Sequence, residues 1–210
     1  MPRVSVVTSV YNGEAYLEEC INSILKQTLQ NFEYIILNNG STDRTPEILN
    51  RYTDPRLQII HQENLGISKS LNKGISLTKS NLIARLDADD YSSPDRLEKQ
   101  ITFMEQHPEI VFCGSRFKEL IGKRLFTQKV RFIEKDEDIR KIVSCFNPFS
   151  HSTIVMRKKT FTKSGGYNNK FEYSQDYDLW MRMLKLGHAG ILKDKLSIVR
   201  LTQHSLSNQH

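Results

Sequence analysis

The sequence lacks any hydrophobic run long enough to cross a bilayer, and Met1-Pro2-Arg3 leads directly into a predicted strand instead of a signal peptide. Cysteine is scarce: the three thiols, Cys20, Cys113 and Cys145, are widely spaced and show no metal-ligand pattern. Since such cysteines are typical of a reducing compartment, we expect a cytoplasmic protein. Its surplus of positive charge leaves peripheral contact with the inner face of the cell membrane open.

Two common ligand-binding motifs are also missing. No Gly-x-Gly-x-x-Gly follows the first predicted strand, which argues against a dinucleotide cofactor, and no Gly-x-x-x-x-Gly-Lys-Ser/Thr occurs, which argues against a P-loop. The 30 Lys and Arg residues outnumber the 24 Asp and Glu residues, but they are dispersed and are not interleaved with aromatic residues. We therefore expect no nucleic-acid partner.

What the first half does contain is a regular alternation of predicted strands and helices. Apolar and β-branched runs predict strands at 4–8, 32–37, 57–61 and 82–86. A helix with apolar residues at helical spacing follows the first strand, and Asn12 is expected to cap it. Strands that alternate with helices imply right-handed crossovers and a largely parallel sheet, so we predict an α/β fold.

The second half is less regular. A helix is predicted after Pro94, strands at 110–113 and 154–156, and a final helix at about 176–186. Residues 114–150 are expected to be irregular apart from one short helix near 138–144. Since no repeat or low-complexity linker interrupts the chain, we predict one compact domain over residues 1–210.

The most informative stretch is the acidic cluster that follows the fourth predicted strand. Asp87, Asp89 and Asp90 crowd into four positions, and like charges this close raise one another's pKa unless a cation sits among them. Carboxylate oxygens suit Mg²⁺ or Mn²⁺, which typically bind through one or two carboxylates and substrate phosphates. A solvated turn is the alternative. Because ligands bind beyond the carboxyl ends of strands in α/β sheets, the position favours a metal site.

Other chemistry-bearing residues follow the first two predicted strands at the same edge of the sheet. Tyr11 offers a ring for stacking, and Asn38 and Asn39 offer amides for the edge of a base. Together with a metal site they predict a pocket for a nucleoside diphosphate. Arg85 could pair with that diphosphate or with the neighbouring carboxylates, and the carboxylates are favoured because an arginine offsets their repulsion.

Motifs in a fixed order along nearly the whole chain carry a family resemblance. They are Val4 to Asn12, Asn39-Gly40-Ser41-Thr42-Asp43, Asn64 to Ile75, the acidic run with Pro94-Asp95-Arg96-Leu97, His151-Ser152-Thr153, Gly165-Gly166-Tyr167 and Gln175 to Trp180. In these motifs the chain resembles family 2 glycosyltransferases. The resemblance implies the GT-A fold, a Rossmann-like and mostly parallel central sheet flanked by helices, with a smaller acceptor-binding part. Residues up to about 97 would bind the nucleotide-sugar, and residues from about 98 would bind the acceptor and supply the base.

The resemblance also implies an activity. Such enzymes move a sugar from a nucleotide-diphosphate sugar to a hydroxyl of an acceptor, with inversion and with a divalent metal. A UDP-sugar is the favoured donor, and the expected acceptor is a glycan or lipid-linked glycan in bacterial cell-surface polysaccharide or lipopolysaccharide synthesis. Two other readings stay open: a non-catalytic nucleotide- or glycan-binding relative, and a sugar-phosphate nucleotidylyltransferase, although the Gly-rich phosphate loop of that class is not visible.

Individual roles follow from the positions of residues in these motifs. Asp89 is expected to hold Mn²⁺ or Mg²⁺, and Asp87 to join the metal shell or contact the ribose. Asp176 matches the catalytic base. The residues expected to contact the nucleotide part of the donor are Ser9, Tyr11, Asn39, Arg85 and Asp87.

The chain departs from the family pattern at three places. Asn38-Asn39 replaces the usual Asp-Asp pair, which puts the preference for uracil in doubt because an amide donates as well as accepts. Gln175 replaces a glutamate next to the proposed base. Thr202 replaces the histidine of the closing Arg-x-His motif, for which His204 is a possible substitute.

Three further side chains have expected roles. Trp180 and Tyr177 in the last helix are expected to fill the core rather than to line the acceptor site. For His151, a contact with the donor phosphate or the acceptor and a hydrogen-bonded structural role are equally open.

Overall fold

A computed structural model describes residues 1–127, 133 and 135–201 of the chain. Thr202 and His204 lie outside the described residues. The prediction that His204 takes the place of the motif histidine therefore concerns a part of the chain that the structure does not describe. Four parallel strands form the first half of the sheet in the order β3-β2-β1-β4. They are β1 (Val4–Val10), β2 (Phe32–Asn39), β3 (Leu57–Gln62) and β4 (Leu82–Arg85).

Three helices return the chain between these strands: α1 (Leu17–Leu25), α2 (Thr45–Leu49) and α3 (Ile67–Leu77). The predicted alternation and the parallel sheet are therefore confirmed for this half. The predicted cap of the first helix is wrong. Asn12 lies before the helix with φ 53° and accepts a hydrogen bond from the Thr42 backbone N–H, so it joins the loop after β1 to the loop after β2.

The second half extends the same sheet with mixed strand directions. The added strands are β5 (Tyr91–Ser92), β6 (Ile110–Ile121), β7 (Arg124–Thr127), β8 (Val155–Arg157) and β9 (His188–Leu201). The full order is β3-β2-β1-β4-β8-β6-β9-β5, and β7 pairs with β6. β8 is antiparallel to both β4 and β6, and β9 is parallel to β6. The helices of this half are α4 (Arg96–Gln106), α5 (Asp136–Val143), α6 (Lys158–Lys163), α7 (Gln175–Met183) and a 3₁₀ turn at His151–Thr153.

The prediction for 114–150 is wrong in its first part, because β6 continues to Ile121 and turns into β7. The prediction also omits β9 altogether. The reason lies in the pairing of β6 with β9: Ser115 pairs with Leu192, and Arg116 pairs with Lys195. The two residues between Leu192 and Lys195 bulge out of the ladder and interrupt the alternation by which a strand is predicted.

Helices cover both faces of the sheet. Val4 and Val6 of β1 point into one apolar cluster with α1, α2 and α4, whereas Val7 points into a second cluster with α3 and α7. Trp180 and Tyr177 belong to the second cluster, as predicted. Gly74 allows α3 to lie close to the sheet, because a Cβ at this position would be 2.5 Å from Leu37 Cδ1. In the part of the chain that the structure describes, no helix is both long and apolar enough to cross a membrane.

Candidate active site

A cleft of about 1490 Å³ opens at the carboxyl ends of β1, β2 and β4. Its far wall is formed by β6, the end of β9 and the start of α7. Six of the seven residues assigned to the site line this cleft: Ser9, Tyr11, Asn39, Asp87, Asp89 and Asp176. The topology therefore brings together residues that lie as far apart as 9 and 176 in the sequence.

The end of β1 supplies the first side of the cleft. Ser9 lies in the strand, and its hydroxyl donates to Ser70 Oγ at 2.8 Å. Tyr11 follows the strand and leaves 53% of its surface exposed in the cleft. An exposed ring at this place offers a flat apolar face to a ligand.

Asn39 at the end of β2 is held by three hydrogen bonds. Its Oδ1 accepts from Gln62 Nε2 at 2.9 Å and from the Leu65 backbone N–H at 3.0 Å. Its Nδ2 donates to Asn64 Oδ1 at 3.2 Å. Both lone pairs of the carbonyl oxygen are thus used, and one N–H remains for a ligand. Asn39 therefore acts toward the cleft as a donor.

Asn38, the other amide of this pair, does not line the cleft. Its side chain is almost fully buried, bonds to His61 Nδ1 at 3.0 Å and accepts from the Ser41 backbone N–H at 3.1 Å. The first of the two departures from Asp-Asp therefore stabilises the turn after β2, whereas the second faces the ligand space.

Arg85, the last residue of β4, lies beneath the cleft and does not line it. The side chain is fully buried, and its guanidinium donates to Asp87 Oδ1 at 2.5 Å and to the Leu86 carbonyl oxygen at 2.9 Å. It also donates to the Val7 carbonyl oxygen. All of these bonds point inward, so Arg85 holds Asp87 and the strand ends in place. Of the two expected partners of Arg85, the donor diphosphate and a neighbouring carboxylate, the structure shows the carboxylate of Asp87.

Asp87 is the anchored carboxylate of the acidic cluster. Burial alone would raise its pKa, but the charge of Arg85, the nearby His151 and a hydrogen bond from Ser152 together lower it. Ser152 Oγ donates to Asp87 Oδ2 at 3.0 Å. Asp87 is therefore ionised at neutral pH and presents a fixed negative charge.

The pKa values of Asp89 and Asp90 are shifted in the opposite direction, upward. Burial and the charge of Asp87 raise the pKa of Asp89 to about 6. Burial, followed by the charges of Asp89 and Asp87, raises the pKa of Asp90 well above its usual range. The Asp90 carboxylate accepts from the Arg200 backbone N–H at 2.7 Å and so faces β9, and both Asp89 and Asp90 line the cleft. A cation beside these groups would relieve their repulsion.

The donor set fits a hard divalent cation that a substrate completes. The carboxylates of Asp87 and Asp89 are oxygen ligands of the type that Mg²⁺ and Mn²⁺ prefer. Among the residues that the structure describes, no three His, Cys, Asp or Glu side chains converge on one point. Mg²⁺ ordinarily binds through one or two carboxylates with phosphates and water in the other positions, so a cage of three protein ligands is not needed.

Asp176 lies on the opposite wall, in the first turn of α7. Its Oδ2 accepts a hydrogen bond from Asn147 Nδ2 at 3.0 Å, and Asn147 is itself fixed by a bond from the Phe149 backbone N–H at 3.1 Å. Ser174, directly before the helix, has φ 56°, a strained value for a residue with a side chain. The preceding Gln175 is almost fully buried and contributes no charge. Asp176 is therefore a carboxylate of this wall that lines the cleft in a fixed position, and Glu119 of β6 is a second one.

His151 lies between the two walls, and the structure shows the hydrogen-bonded role for it, at a position that also lines the cleft. It lines the cleft, and its Nε2 accepts from Arg85 Nε at 3.2 Å because a guanidinium can only donate. The proton is accordingly assigned to Nδ1, which lies 3.8 Å from Asp87 Oδ1. Burial, and after it the charge of Arg85, lowers the pKa of His151. The imidazole is thus neutral and presents an N–H near Asp87.

Arg200 near the end of β9 also lines the cleft, and the sequence assigns it no role in the site. Its Nε donates to the Asp89 carbonyl oxygen at 3.0 Å, and its guanidinium pairs with Glu19 and lies 4.0 Å from the centre of the Tyr16 ring. Its place in the closing Arg-x-His motif is the signal that could have identified it. The residue ties the acidic loop to the last strand.

Comparison with known proteins gives consistent matches. Residues 5–170 match the family model described as glycosyl transferase family 2. The amylovoran biosynthesis glycosyltransferase AmsE of Erwinia amylovora is 36% identical over 205 residues, which cover 93% of this chain and 75% of that protein. The O-antigen biosynthesis glycosyltransferase WbnJ of Escherichia coli is 37% identical over 185 residues, covering 86% of this chain and 71% of that protein. An uncharacterized glycosyltransferase of Haemophilus influenzae is 33% identical, and the match covers 89% of this chain but 61% of that protein.

Solved structures agree with the fold. The crystal structure of S. aureus TarS 1-349 in complex with UDP-GlcNAc has a TM-score of 0.84 at 20% identity, covering 100% of this chain and 61% of that one. The mannosyltransferase PcManGT from Pyrobaculum calidifontis in complex with GDP-Man and Mn²⁺ has a TM-score of 0.74 at 17% identity, covering 97% of this chain and 58% of that one. The predicted GT-A architecture is thereby confirmed, and the chain spans about three fifths of the length of these structures.

Proposed function

Because the chain belongs to glycosyl transferase family 2, we propose that it moves a sugar from a nucleotide-diphosphate sugar to a hydroxyl acceptor with inversion. One observation carries the proposal: a single cleft is lined on one wall by the acidic cluster that follows β4 and on the other by Asp176. Transfer with inversion needs these two features on opposite sides of the anomeric carbon, one for the leaving group and one for the attacking hydroxyl.

The nucleotide part of the donor is proposed to lie against the ends of β1 and β2. Tyr11 offers its exposed ring for stacking, and Asn39 offers one N–H to a carbonyl oxygen of the base. A UDP-sugar suits this donor, since uracil carries two carbonyl oxygens. The TarS structures contain UDP and UDP-GlcNAc, which supports the same choice, whereas PcManGT holds GDP-Man.

A divalent cation, Mn²⁺ or Mg²⁺, is proposed as the cofactor. Asp89 would hold it, and Asp87 would add a second carboxylate or fix the ribose. When bound, the ion supplies positive charge that stabilises the leaving nucleoside diphosphate. The ionised state of Asp87, which Arg85 secures, and the raised pKa of Asp89 support this assignment.

Asp176 is proposed as the general base. The acceptor oxygen forms a bond to the anomeric carbon while the bond from that carbon to the diphosphate oxygen breaks, and the acceptor proton moves to a carboxylate oxygen of Asp176. Asn147 holds one oxygen of this carboxylate, which leaves the other to face the acceptor. A base in such a position typically contributes about 10²–10⁴-fold to the rate.

The acceptor class is proposed from the relatives. The names of AmsE and WbnJ refer to amylovoran and O-antigen biosynthesis, which supports a glycan or lipid-linked glycan of the bacterial cell surface. The cytoplasm is the proposed location, because nucleotide-sugars are made there. In this proposal residues up to about 97 bind the donor, and residues from about 98 bind the acceptor.

The test is hydrolysis of a panel of nucleotide-sugars that differ in base and sugar, with Mn²⁺, with Mg²⁺ and with EDTA. We expect slow release of the nucleoside diphosphate from one donor, lost in EDTA and in Asp89→Ala. Metal-dependent donor binding without hydrolysis or transfer would favour the non-catalytic relative. Failure of every donor to bind would refute the proposal.

A further inference from the structure

The β6–β7 hairpin leaves an apolar surface open outside the cleft. Ile121, Leu125 and Phe126 expose 49%, 53% and 45% of their surface. All four residues of β7 are exposed, and β7 pairs with β6 alone among the strands that the structure describes. Ile121 and Phe126 are diagonal neighbours on one face of the hairpin, whereas Leu125 lies on the other face. Single exposed apolar residues are common, but neighbours that leave both faces of one hairpin apolar mark an interaction site.

Part of this surface is continuous with the cleft. Glu119 lines the cleft, and Phe126 lies opposite Glu119 in the antiparallel ladder, so the two side chains share a face. Ile121 lies opposite Leu201 of β9 in the parallel ladder between β6 and β9, and Leu201 also lines the cleft. An apolar strip, made of Leu201, Ile121 and Phe126, therefore leads from the acceptor side of the cleft to the hairpin.

Two cations lie at the far end of the strip. The turn between β6 and β7 consists of Gly122, with φ 59°, and Lys123, and Arg124 begins β7. Lys123 and Arg124 are exposed, and neither forms an ion pair within the described part of the chain. Free cations beside exposed aliphatic and aromatic side chains are the composition of surfaces that bind anionic lipid.

We propose that the β6–β7 hairpin docks on an anionic lipid bilayer, with its exposed apolar side chains in the interfacial region and its two cations on the head groups. A second copy of the chain fits this surface less well, because β7 is an edge of four residues that includes the charged Arg124, and short charged edges resist pairing with another strand. Docking here would bring the acceptor side of the cleft to the membrane surface along the apolar strip. A lipid-linked acceptor could then reach the cleft without leaving the bilayer.

The probe is a set of vesicles made of phosphatidylcholine alone or of phosphatidylcholine mixed with phosphatidylglycerol, and the readout is the fraction of protein that sediments with them. We expect binding to the mixed vesicles that weakens as salt is added. Each cation near an anionic surface contributes about fivefold, so Lys123→Gln/Arg124→Gln should weaken binding by about 25-fold. Each half-exposed apolar side chain contributes roughly fivefold as well, so Ile121→Ser/Phe126→Ser, which removes the two exposed members of the strip on one face, should have a similar effect.

The matched control is Lys69→Gln/Lys73→Gln, which removes two exposed cations of α3 and leaves the hairpin unchanged. It should bind like the wild type, and circular dichroism should show that all variants are folded. Equal binding of the hairpin variants and the wild type, or no binding of the wild type to the mixed vesicles, would overturn the proposal. So would a dimer in the absence of lipid that Phe126→Ser abolishes. Since sedimentation needs neither donor nor metal, its failure is separate from failure of the proposed reaction.

Discussion

Replacement of Arg85 by methionine tests whether this arginine stabilises the fold from a buried position or binds the phosphates of the donor. The guanidinium is fully buried and bonds to the Asp87 carboxylate and to the carbonyl oxygens of Val7 and Leu86. Methionine fills much of the same volume but cannot donate. The variant therefore leaves a carboxylate without its counter-ion at the end of β4.

The expected loss of stability can be worked from this geometry. Removal of one partner of a buried ion pair costs about 3–5 kcal/mol. The Asp87 side chain is 30% exposed, so water can partly replace the lost charge and the lower end, about 3 kcal/mol, is expected. For a chain of this size each 1 kcal/mol lowers the melting temperature by about 2–4 °C, which gives a decrease of roughly 6–12 °C.

The assay is thermal and urea denaturation, with Arg3→Met as the matched control. Arg3 pairs with Glu105 on the surface, with 39% and 49% of the two side chains exposed, so that variant should lose no more than about 1 kcal/mol. If Arg85→Met were as stable as the wild type while donor binding fell sharply, Arg85 would be a ligand of the diphosphate and the interpretation above would be refuted.

Three further predictions concern the cleft itself. Asp176→Asn should lower the rate of transfer by about 10²–10⁴-fold and leave the donor dissociation constant within a factor of two or so, as measured by calorimetry; a large change in donor affinity would contradict its role as base. The pKa of Asp89 is raised to about 6, and a cation binds the ionised form, so the affinity for Mn²⁺ should be constant above that pH and decrease about tenfold per pH unit below it. An affinity for Mn²⁺ that does not change between pH 5 and 7 would argue against Asp89 as the ligand. Asn39→Asp should destabilise the fold by about 1–3 kcal/mol, because a carboxylate oxygen would then face Asn64 Oδ1, which already accepts from the Gly66 N–H. An unchanged melting curve would show that the hydrogen bonds around Asn39 can rearrange.

The acidic cluster illustrates what local sequence can predict. Three aspartates after an apolar run indicate a strand that ends at a binding edge, and the parallel sheet does place Asp89 in the cleft. The alternation of strands and helices predicts that edge without any knowledge of distant contacts. For these residues the local pattern and the tertiary structure agree.

The role of Arg85 shows where local reasoning ends. A charged residue at the end of a buried strand can turn toward the cleft or beneath it, and the sequence near position 85 does not decide between them. His151 and the carbonyl oxygen of Val7 decide it, and they lie 66 and 78 residues away in the chain. Partners so distant in the sequence cannot be identified from a local pattern.

The hydrogen-bonding direction of Asn39 and the presence of β9 are both hidden from local sequence, for related reasons. The direction in which Asn39 donates depends on Gln62 at the end of β3 and on Asn64 and Leu65 after it, so residue type alone leaves it open. β9 contains a bulge that interrupts its alternation, and its pairing with β6 is what reveals it as a strand. The position of Asp176 opposite Asp89 could be expected only from the family resemblance, because nothing in the spacing of α7 indicates which wall it faces.

A single displacement between the acidic cluster and Asp176 inverts the anomeric carbon, so the stereochemistry of the product is the decisive measurement. Once the panel has identified a donor, proton nuclear magnetic resonance can follow the anomeric signal of the first product formed from an α-linked nucleotide-sugar. We expect the β-anomer to appear first and, in the case of hydrolysis, to convert to the α-anomer only by mutarotation. Initial formation of the α-anomer would refute a single displacement, because retention requires a mechanism in which Asp176 is not a simple base.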